Sequence, residues 1–182
     1  MTFALVFLLG ITTPLPAGGT YHYAEIVSGK TVATETLRVQ WSGTTVHVWE
    51  SRIPTNSDGI YVDSEAVYDA ITLSLASYRS AVTQGCGGLQ YTVGVRGSQV
   101  RSNDKTIDFA GASRFVLSDD VAMPFFLAAQ TRLWQNGDPI AIDPAHATGH
   151  PATAPLHLDY DPASNVIAEV ETASVTWKRI PG

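Results

Sequence analysis

The chain of 182 residues is poor in cysteine, in charged residues and in lysine, and each shortage excludes a class of protein. Because Cys86 is the only cysteine, no disulfide can form within the chain, and a structural zinc site built on thiolates is excluded. Charged residues make up 15% of the chain, and a formal net charge of -6 with three lysines leaves no basic stripe to neutralise phosphates. Nucleic acid is therefore not expected as a partner.

The amino terminus has an apolar run over residues 3–11, which is too short to span a bilayer. This run leads into the small residues Ala17, Gly18 and Gly19, as in a secretory signal peptide, although no Lys or Arg precedes it. A first buried strand is the alternative. We expect residues 1–17 to be a signal peptide and residues 18–182 to be a single domain. The mature protein would be periplasmic or secreted, with no membrane span.

Most of the chain after Gly19 shows the period-two pattern of β-strands, interrupted by short turn sequences such as Ser28-Gly29-Lys30. Leu89 to Arg96 alternate most regularly between apolar and polar residues. Residues 143–155 are rich in His and Pro and predict a loop, whereas 166–180 predict one long final strand. Because strand follows strand with short links, the pattern predicts a mainly β fold built on an antiparallel sheet.

A helix of about 120–136 is predicted inside the apolar stretch 119–137. Asp119 and Asp120 are suitable N-terminal capping residues, Pro124 is tolerated near the first turn, and Gly137 is a typical helix terminator. Apolar side chains cover well over half of its circumference, so the helix should be mostly enclosed. The fold class we expect is mainly β (α+β), a curved antiparallel sheet or half-barrel wrapped around one apolar helix.

The layout of the chain also resembles a known group of proteins. It has an opening strand Gly19-Thr20-Tyr21-His22-Tyr23, the stretch Gly29-Lys30-x-x-Ala33-Thr34-Glu35, a run of strands, a late apolar helix and closing strands. This order is similar to bacterial periplasmic proteins with an incomplete β-barrel, which include carriers related to the lipoprotein-localisation factors and other secreted families. The resemblance implies an unclosed barrel whose concave side holds acyl chains or another apolar ligand, with the helix as a lid and no catalytic residue.

Aromatic side chains occur in nearly every predicted strand, where they serve either packing or ligand binding. We expect an apolar or lipid-like ligand to lie between helix and sheet, without cofactor or catalysis. The ligand-binding candidates on the helix side are Phe125, Phe126, Leu133 and Trp134. Those on the sheet side are Trp49, Tyr91 and Trp177.

Two other functions stay open at this point. The first is a structural or interaction module of the cell envelope, with a solid core and an exposed edge strand that pairs with a partner protein. The second is a metal-dependent hydrolase that uses His146, His150 and His157 as ligands, although Gly149 and Pro151 disfavour the helix that a His-x-x-x-His zinc site needs. A serine hydrolase is disfavoured because the chain has no Gly-x-Ser-x-Gly elbow.

Overall fold

The computed structural model describes residues 18–117, 140–152, 157–161, 163 and 166–182. The expected signal peptide and the predicted helix 119–137 lie outside the described residues. The four helix-side candidates, Phe125, Phe126, Leu133 and Trp134, lie outside them as well.

The described residues form fourteen β-strands. The first eight are β1 (Gly19–Val27), β2 (Lys30–Ser42), β3 (Thr45–Pro54), β4 (Ile60–Asp69), β5 (Leu75–Gln84), β6 (Gly87–Arg96), β7 (Gln99–Ser102) and β8 (Lys105–Asp108). The remaining six are β9 (Phe115–Leu117), β10 (Ile140–Asp143), β11 (Thr148–Pro151), β12 (His157–Asp161), β13 (Val166–Glu171) and β14 (Thr176–Ile180).

Eleven of these strands form one large antiparallel sheet, in the order β12-β13-β14-β1-β2-β3-β4-β5-β6-β7-β8. Strands β12 and β8 do not pair with each other, so the sheet is not closed. A second, small sheet has the order β11-β10-β9, with a parallel β9–β10 pair. The predicted mainly β fold with an antiparallel sheet is confirmed. The finer prediction, a half-barrel wrapped around a helix, depends on residues outside the described ones.

Two local predictions differ from the structure. The stretch 166–180 is a hairpin, β13 and β14, because a tight turn interrupts it: Thr172 N–H donates to the Val175 carbonyl (2.9 Å) and Val175 N–H donates to the Thr172 side chain (3.2 Å). A Thr-centred turn of this kind leaves no Gly or Pro signal. The predicted loop 143–155 contains the short strand β11, paired with β10.

The large sheet has an apolar core face and a polar outer face, because successive side chains of a strand point to opposite sides. The core face carries large buried side chains, among them Tyr23, Leu37, Val48 and Val93. The small sheet packs on this side, and its Phe115, Leu117 and Ile142 belong to the same apolar cluster. The outer face carries polar and charged side chains, among them Arg38, His47, Asp63, Glu65, Arg79 and Thr92.

Candidate binding site on the core face

Three carboxylates lie on the core face of neighbouring strands. Glu25 of β1, Glu35 of β2 and Glu50 of β3 alternate in phase with apolar residues, so the strands carry them into the interior. Their exposed fractions are 8%, 2% and 8%. Charged side chains are rarely buried to this extent unless they are paired, so each carboxylate needs a partner.

Arg52 of β3 supplies the partner of Glu25. Its Nε donates to Glu25 Oε2 at 2.6 Å and its Nη2 donates to Glu25 Oε1 at 3.1 Å. This two-bond arrangement is the strongest form of an arginine–carboxylate pair. The same guanidinium donates to the carbonyl of Ile60, and its Nε lies 4.0 Å from Glu35 Oε1. Arg52 is therefore committed mainly to Glu25.

Glu35 is only half satisfied. Its Oε1 accepts a hydrogen bond of 2.9 Å from the indole Nε1 of Trp177, whereas its buried Oε2 has no hydrogen-bond partner among the described residues. Burial, and next the negative charge of Glu50, raise the pKa of Glu35 well above its ordinary value. The Trp177 hydrogen bond works in the opposite direction and does not outweigh them. This environment favours the neutral acid.

Hydroxyl side chains occupy core-face positions of the next two strands, β4 and β5. Ser64 of β4 donates to Glu50 Oε2 at 3.1 Å. The Tyr78 hydroxyl and Ser80 Oγ of β5 are buried and make no well-formed hydrogen bond among the described residues. Weaker interactions of the Tyr78 hydroxyl with Ser80 and Ser64 act to lower the pKa of Tyr78. Burial, and to a smaller degree the charge of Glu50, raise the pKa of Tyr78 to about 12.

These residues form what we call the polar cluster: Glu25, Glu35, Glu50, Arg52, Ser64, Tyr78, Ser80 and Trp177. It spans six neighbouring strands, β14 and β1 to β5, and it is enclosed by an apolar core. Within the described ranges, no three His, Cys, Asp or Glu side chains converge as metal ligands. The cluster places a half-satisfied carboxylate on β2 and two buried hydroxyls on β5 on the same face of the sheet, and these described residues are not arranged as a metal centre.

The structure places the three sheet-side candidates on different faces. Trp177 belongs to the polar cluster, and Tyr91 is half-buried on the core face, opposite Ser80 in the strand register. Trp49 lies on the outer face, where its ring stacks on His47 with centroids 5.5 Å apart and the Arg38 guanidinium lies 4.7 Å from the ring centre. Trp177 and Tyr91 thus share a face, and Trp49 does not.

The outer face has a groove of its own. It is an open depression of about 430 Å³ whose lining includes Trp49, Glu65, Arg79 and Thr92. Glu65 is paired there with both His47 and Arg79.

The three histidines named as metal candidates have exposed side chains in other parts of the fold. His146 lies in the β10–β11 turn, where its Nδ1 is 2.5 Å from Asp143 Oδ2. His150 Nδ1 lies 2.9 Å from the carbonyl of Pro151, and His157 begins β12.

Sequence reasoning missed most of the polar cluster. The available signal was the alternation of the strands. Glu35 lies two residues from both Ala33 and Leu37, and Glu50 follows Val46 and Val48 at the same spacing, so both carboxylates occupy positions of the apolar face. A carboxylate on the apolar phase of a regular strand predicts a buried charge. The partners come from β14, β4 and β5, so their convergence depends on the sheet topology.

Comparisons with known protein families, with characterised proteins and with solved structures give no match to this chain. Over the part of the chain that the structure describes, no helix has the length and apolar character needed to cross a membrane.

Proposed function

We propose that this protein is a non-enzymatic binding protein that holds a largely apolar, lipid-like ligand against the core face of the large sheet. The polar cluster would fix one polar group of that ligand. The observation that supports this proposal is the presence of three buried polar atoms without partners among the described residues: Glu35 Oε2, the Tyr78 hydroxyl and Ser80 Oγ.

The energetic argument is that unpaired buried polar atoms destabilise a fold. Each costs roughly 1–3 kcal/mol when it is left without a hydrogen bond. A ligand group that pairs with one of these atoms offsets the cost of leaving that atom unpaired. The surrounding wall of Tyr23, Leu37, Val48 and Val93 suits an apolar ligand body, since ligand sites typically combine apolar walls with a few convergent polar groups.

The wider expectations belong to the same proposal. Export to the periplasm or beyond would place the protein where apolar molecules need a carrier. The predicted helix 119–137 would close the site on the side away from the sheet, as the layout resemblance implies.

Ligand recovery and uptake test this function. We expect native mass spectrometry and solvent extraction of the purified protein to yield a bound apolar molecule, and the stripped protein to take up a neutral naphthyl probe that decanol displaces. Ligand-free protein that takes up neither the probe nor a fluorescent fatty acid would contradict the proposal. The double variant Tyr78→Phe/Ser80→Ala should weaken decanol binding, whereas Thr92→Ala on the outer face is the matched control.

An envelope interaction module is the second candidate, because the described part of the sheet is open and has two edges, β12 and β8. An edge strand can pair with a strand of a partner protein. This function predicts no uptake of small apolar probes, so the same experiment separates the two candidates.

A further inference from the structure

We propose that the polar cluster contains a pH-sensitive switch, in which Glu35 shares a proton with Glu25 and Arg52 turns toward Glu35 once rising pH removes that proton. The residues of the switch lie on β14, β1, β2 and β3, which are consecutive in the large sheet. The switch is a property of the folded chain and does not require the proposed ligand.

The hydrogen bonds of Glu25 and Glu35 cross the order of the strands. Arg52 lies directly opposite Glu35 in the β2–β3 ladder, and yet its guanidinium reaches past β2 to Glu25 on β1. Ala33, the β2 residue opposite Glu25, has a small side chain that does not block this diagonal. Trp177 lies opposite Glu25 in the β1–β14 ladder but donates to Glu35 on β2. Each carboxyl group is therefore bonded by the side chain that lies opposite the other one.

Glu35 Oε2 has no hydrogen-bond donor among the described residues, and a proton of its own would change it from an acceptor into a donor. Burial and the charge of Glu50 raise the pKa of Glu35 most, and a side-chain hydrogen bond with Glu25 raises it further. Two carboxyl groups can form such a bond only when one of them is protonated, since an ionised carboxylate only accepts. A proton on Glu35 Oε2 that is donated to Glu25 therefore satisfies the buried oxygen.

The contacts of Arg52 decide which of the two carboxyl groups carries the proton. Arg52 donates two charge-assisted hydrogen bonds to Glu25, and such bonds are made to the ionised carboxylate. Glu35 is 2% exposed, and its Oε1 lies 4.0 Å from Arg52 Nε, beyond hydrogen-bonding distance. The neutral acid is therefore Glu35, and Glu25 is the carboxylate that accepts from it.

Loss of the proton to solvent leaves two ionised carboxylates beside the same guanidinium. Arg52 Nε lies 2.6 Å from Glu25 Oε2 and 4.0 Å from Glu35 Oε1, so a small movement brings it within reach of both. Opposite charges attract more strongly in a buried site than in water. We therefore expect the guanidinium to turn toward Glu35 and to bridge the two carboxylates at high pH.

The other titratable and charged groups around Glu35 do not compete for this proton. On the described strands, these groups are Tyr23 and Glu25 on β1, Glu50 and Arg52 on β3, Tyr68 on β4, Tyr78 on β5 and Arg179 on β14. Burial raises the pKa of Tyr23, Tyr68 and Tyr78 above the ordinary value of 10.0, so these hydroxyl groups keep their protons while the carboxyl pair titrates.

NMR of the glutamate carboxyl carbons in the native protein tests the shared proton. We expect the Glu35 signal, identified by its absence in Glu35→Gln, to titrate well above the ordinary value of 4.5. The Arg52 Nε–H signal should change in step with it, as the guanidinium turns toward the new carboxylate. A Glu35 titration at or below 4.5, or an Arg52 signal that stays constant across it, overturns the proposal.

The variant Glu25→Gln separates the switch from simple burial. It removes the carboxylate that holds Arg52, so the guanidinium can pair with Glu35, and we expect the Glu35 titration to fall by about 1–3 pH units. Burial alone predicts no such fall. Glu65→Gln on the outer face is the matched control and should leave the Glu35 titration in place. An unchanged Glu35 titration in Glu25→Gln overturns the switch, and should this variant not fold, the Arg52 signal of the native protein still decides.

Discussion

Glu35 and Glu65 lie only two strands apart in the same sheet, and yet their environments move their pKa values in opposite directions. Burial dominates at Glu35 on the core face and raises its pKa. Burial also acts to raise the pKa of Glu65 on the outer face, but hydrogen bonds from His47 and Arg79 outweigh it and lower the pKa. The contrast shows that burial together with the sign of the neighbouring charges decides the state of each carboxylate: an anion, Glu50, acts on Glu35, whereas His47 and Arg79 pair with Glu65.

The two faces also differ in the solvent exposure of their ion pairs. The Arg79 side chain is 74% exposed and its pairing with Glu65 is screened by water, whereas the Arg52 side chain is only 18% exposed. A surface pair contributes little to stability, but the removal of one partner from a buried pair leaves a charge without compensation. The polar cluster is therefore the part of the sheet most sensitive to single substitutions.

Arg52→Met should give the largest effect. We expect it to lower the free energy of unfolding by about 3–5 kcal/mol at pH 7, because it leaves Glu25 buried without its cation. Urea denaturation monitored by tryptophan fluorescence measures this loss.

Arg79→Met is the control on the outer face and should cost about 0–1 kcal/mol, because water replaces the lost partner of Glu65. A cost for Arg52→Met no larger than that for Arg79→Met would show that the core-face carboxylates are solvated, and it would remove the contrast between the faces.

The pH dependence of stability should separate Glu35 from Glu65. The pKa of Glu35 is higher in the folded state than its ordinary value of 4.5. Protonation of Glu35 therefore stabilises the folded state fully below pH 4.5, and this stabilisation is lost as the pH rises through the folded pKa. We therefore expect Glu35→Gln to match the native protein near pH 4 and to become progressively more stable than it toward pH 8, as measured by urea unfolding at several pH values.

Glu65→Gln should show the opposite sign. Its lowered pKa gives stability that is present above pH 4.5 and is lost as pH falls through the folded pKa. The variant should be slightly less stable than the native protein at pH 7, by about 0–1 kcal/mol, and should approach it in acid. Parallel pH profiles for the two variants would contradict the assignment of the two faces.

The hairpin-linked strands could be predicted from the sequence because their signal is local. Turn residues such as Gly29 and Gly43 adopt positive φ angles of 75° and 56°, which glycine tolerates, and the alternation of Leu89 to Arg96 matches β6. The turn at Thr172 is not predicted from the sequence because the Thr172 hydroxyl closes it, through hydrogen bonds with the backbone of Val175. Threonine is common in strands and is a weaker turn signal than glycine or proline.

The candidate site could be predicted only in part, because it depends on which strands become neighbours. Trp177 is 142 residues from Glu35 in the chain, and their contact follows from the β14–β1–β2 order of the sheet. Trp49, a sheet-side candidate, lies on the outer face because its neighbour Val48 is buried and alternation places adjacent residues on opposite faces. The alternation of a strand therefore predicts the face on which a residue lies, but only the order of the strands in the sheet predicts which residues it contacts.

Two core-face tyrosines offer the finest comparison, since one hydroxyl is paired and the other is not. The Tyr23 hydroxyl donates to the carbonyl of Ile167 at 2.9 Å, whereas the Tyr78 hydroxyl has no partner among the described residues. Tyr23→Phe should lower the free energy of unfolding by about 0.5–1.5 kcal/mol, because it removes a buried hydrogen bond. Tyr78→Phe should leave the free energy of unfolding unchanged or raise it by up to about 1 kcal/mol. The reason is that burial of the hydroxyl costs desolvation free energy that no well-formed hydrogen bond offsets. Urea unfolding of stripped protein measures both values. A loss at Tyr78→Phe as large as that at Tyr23→Phe would mean that the Tyr78 hydroxyl is already satisfied, and the main support for a ligand at this position would be gone.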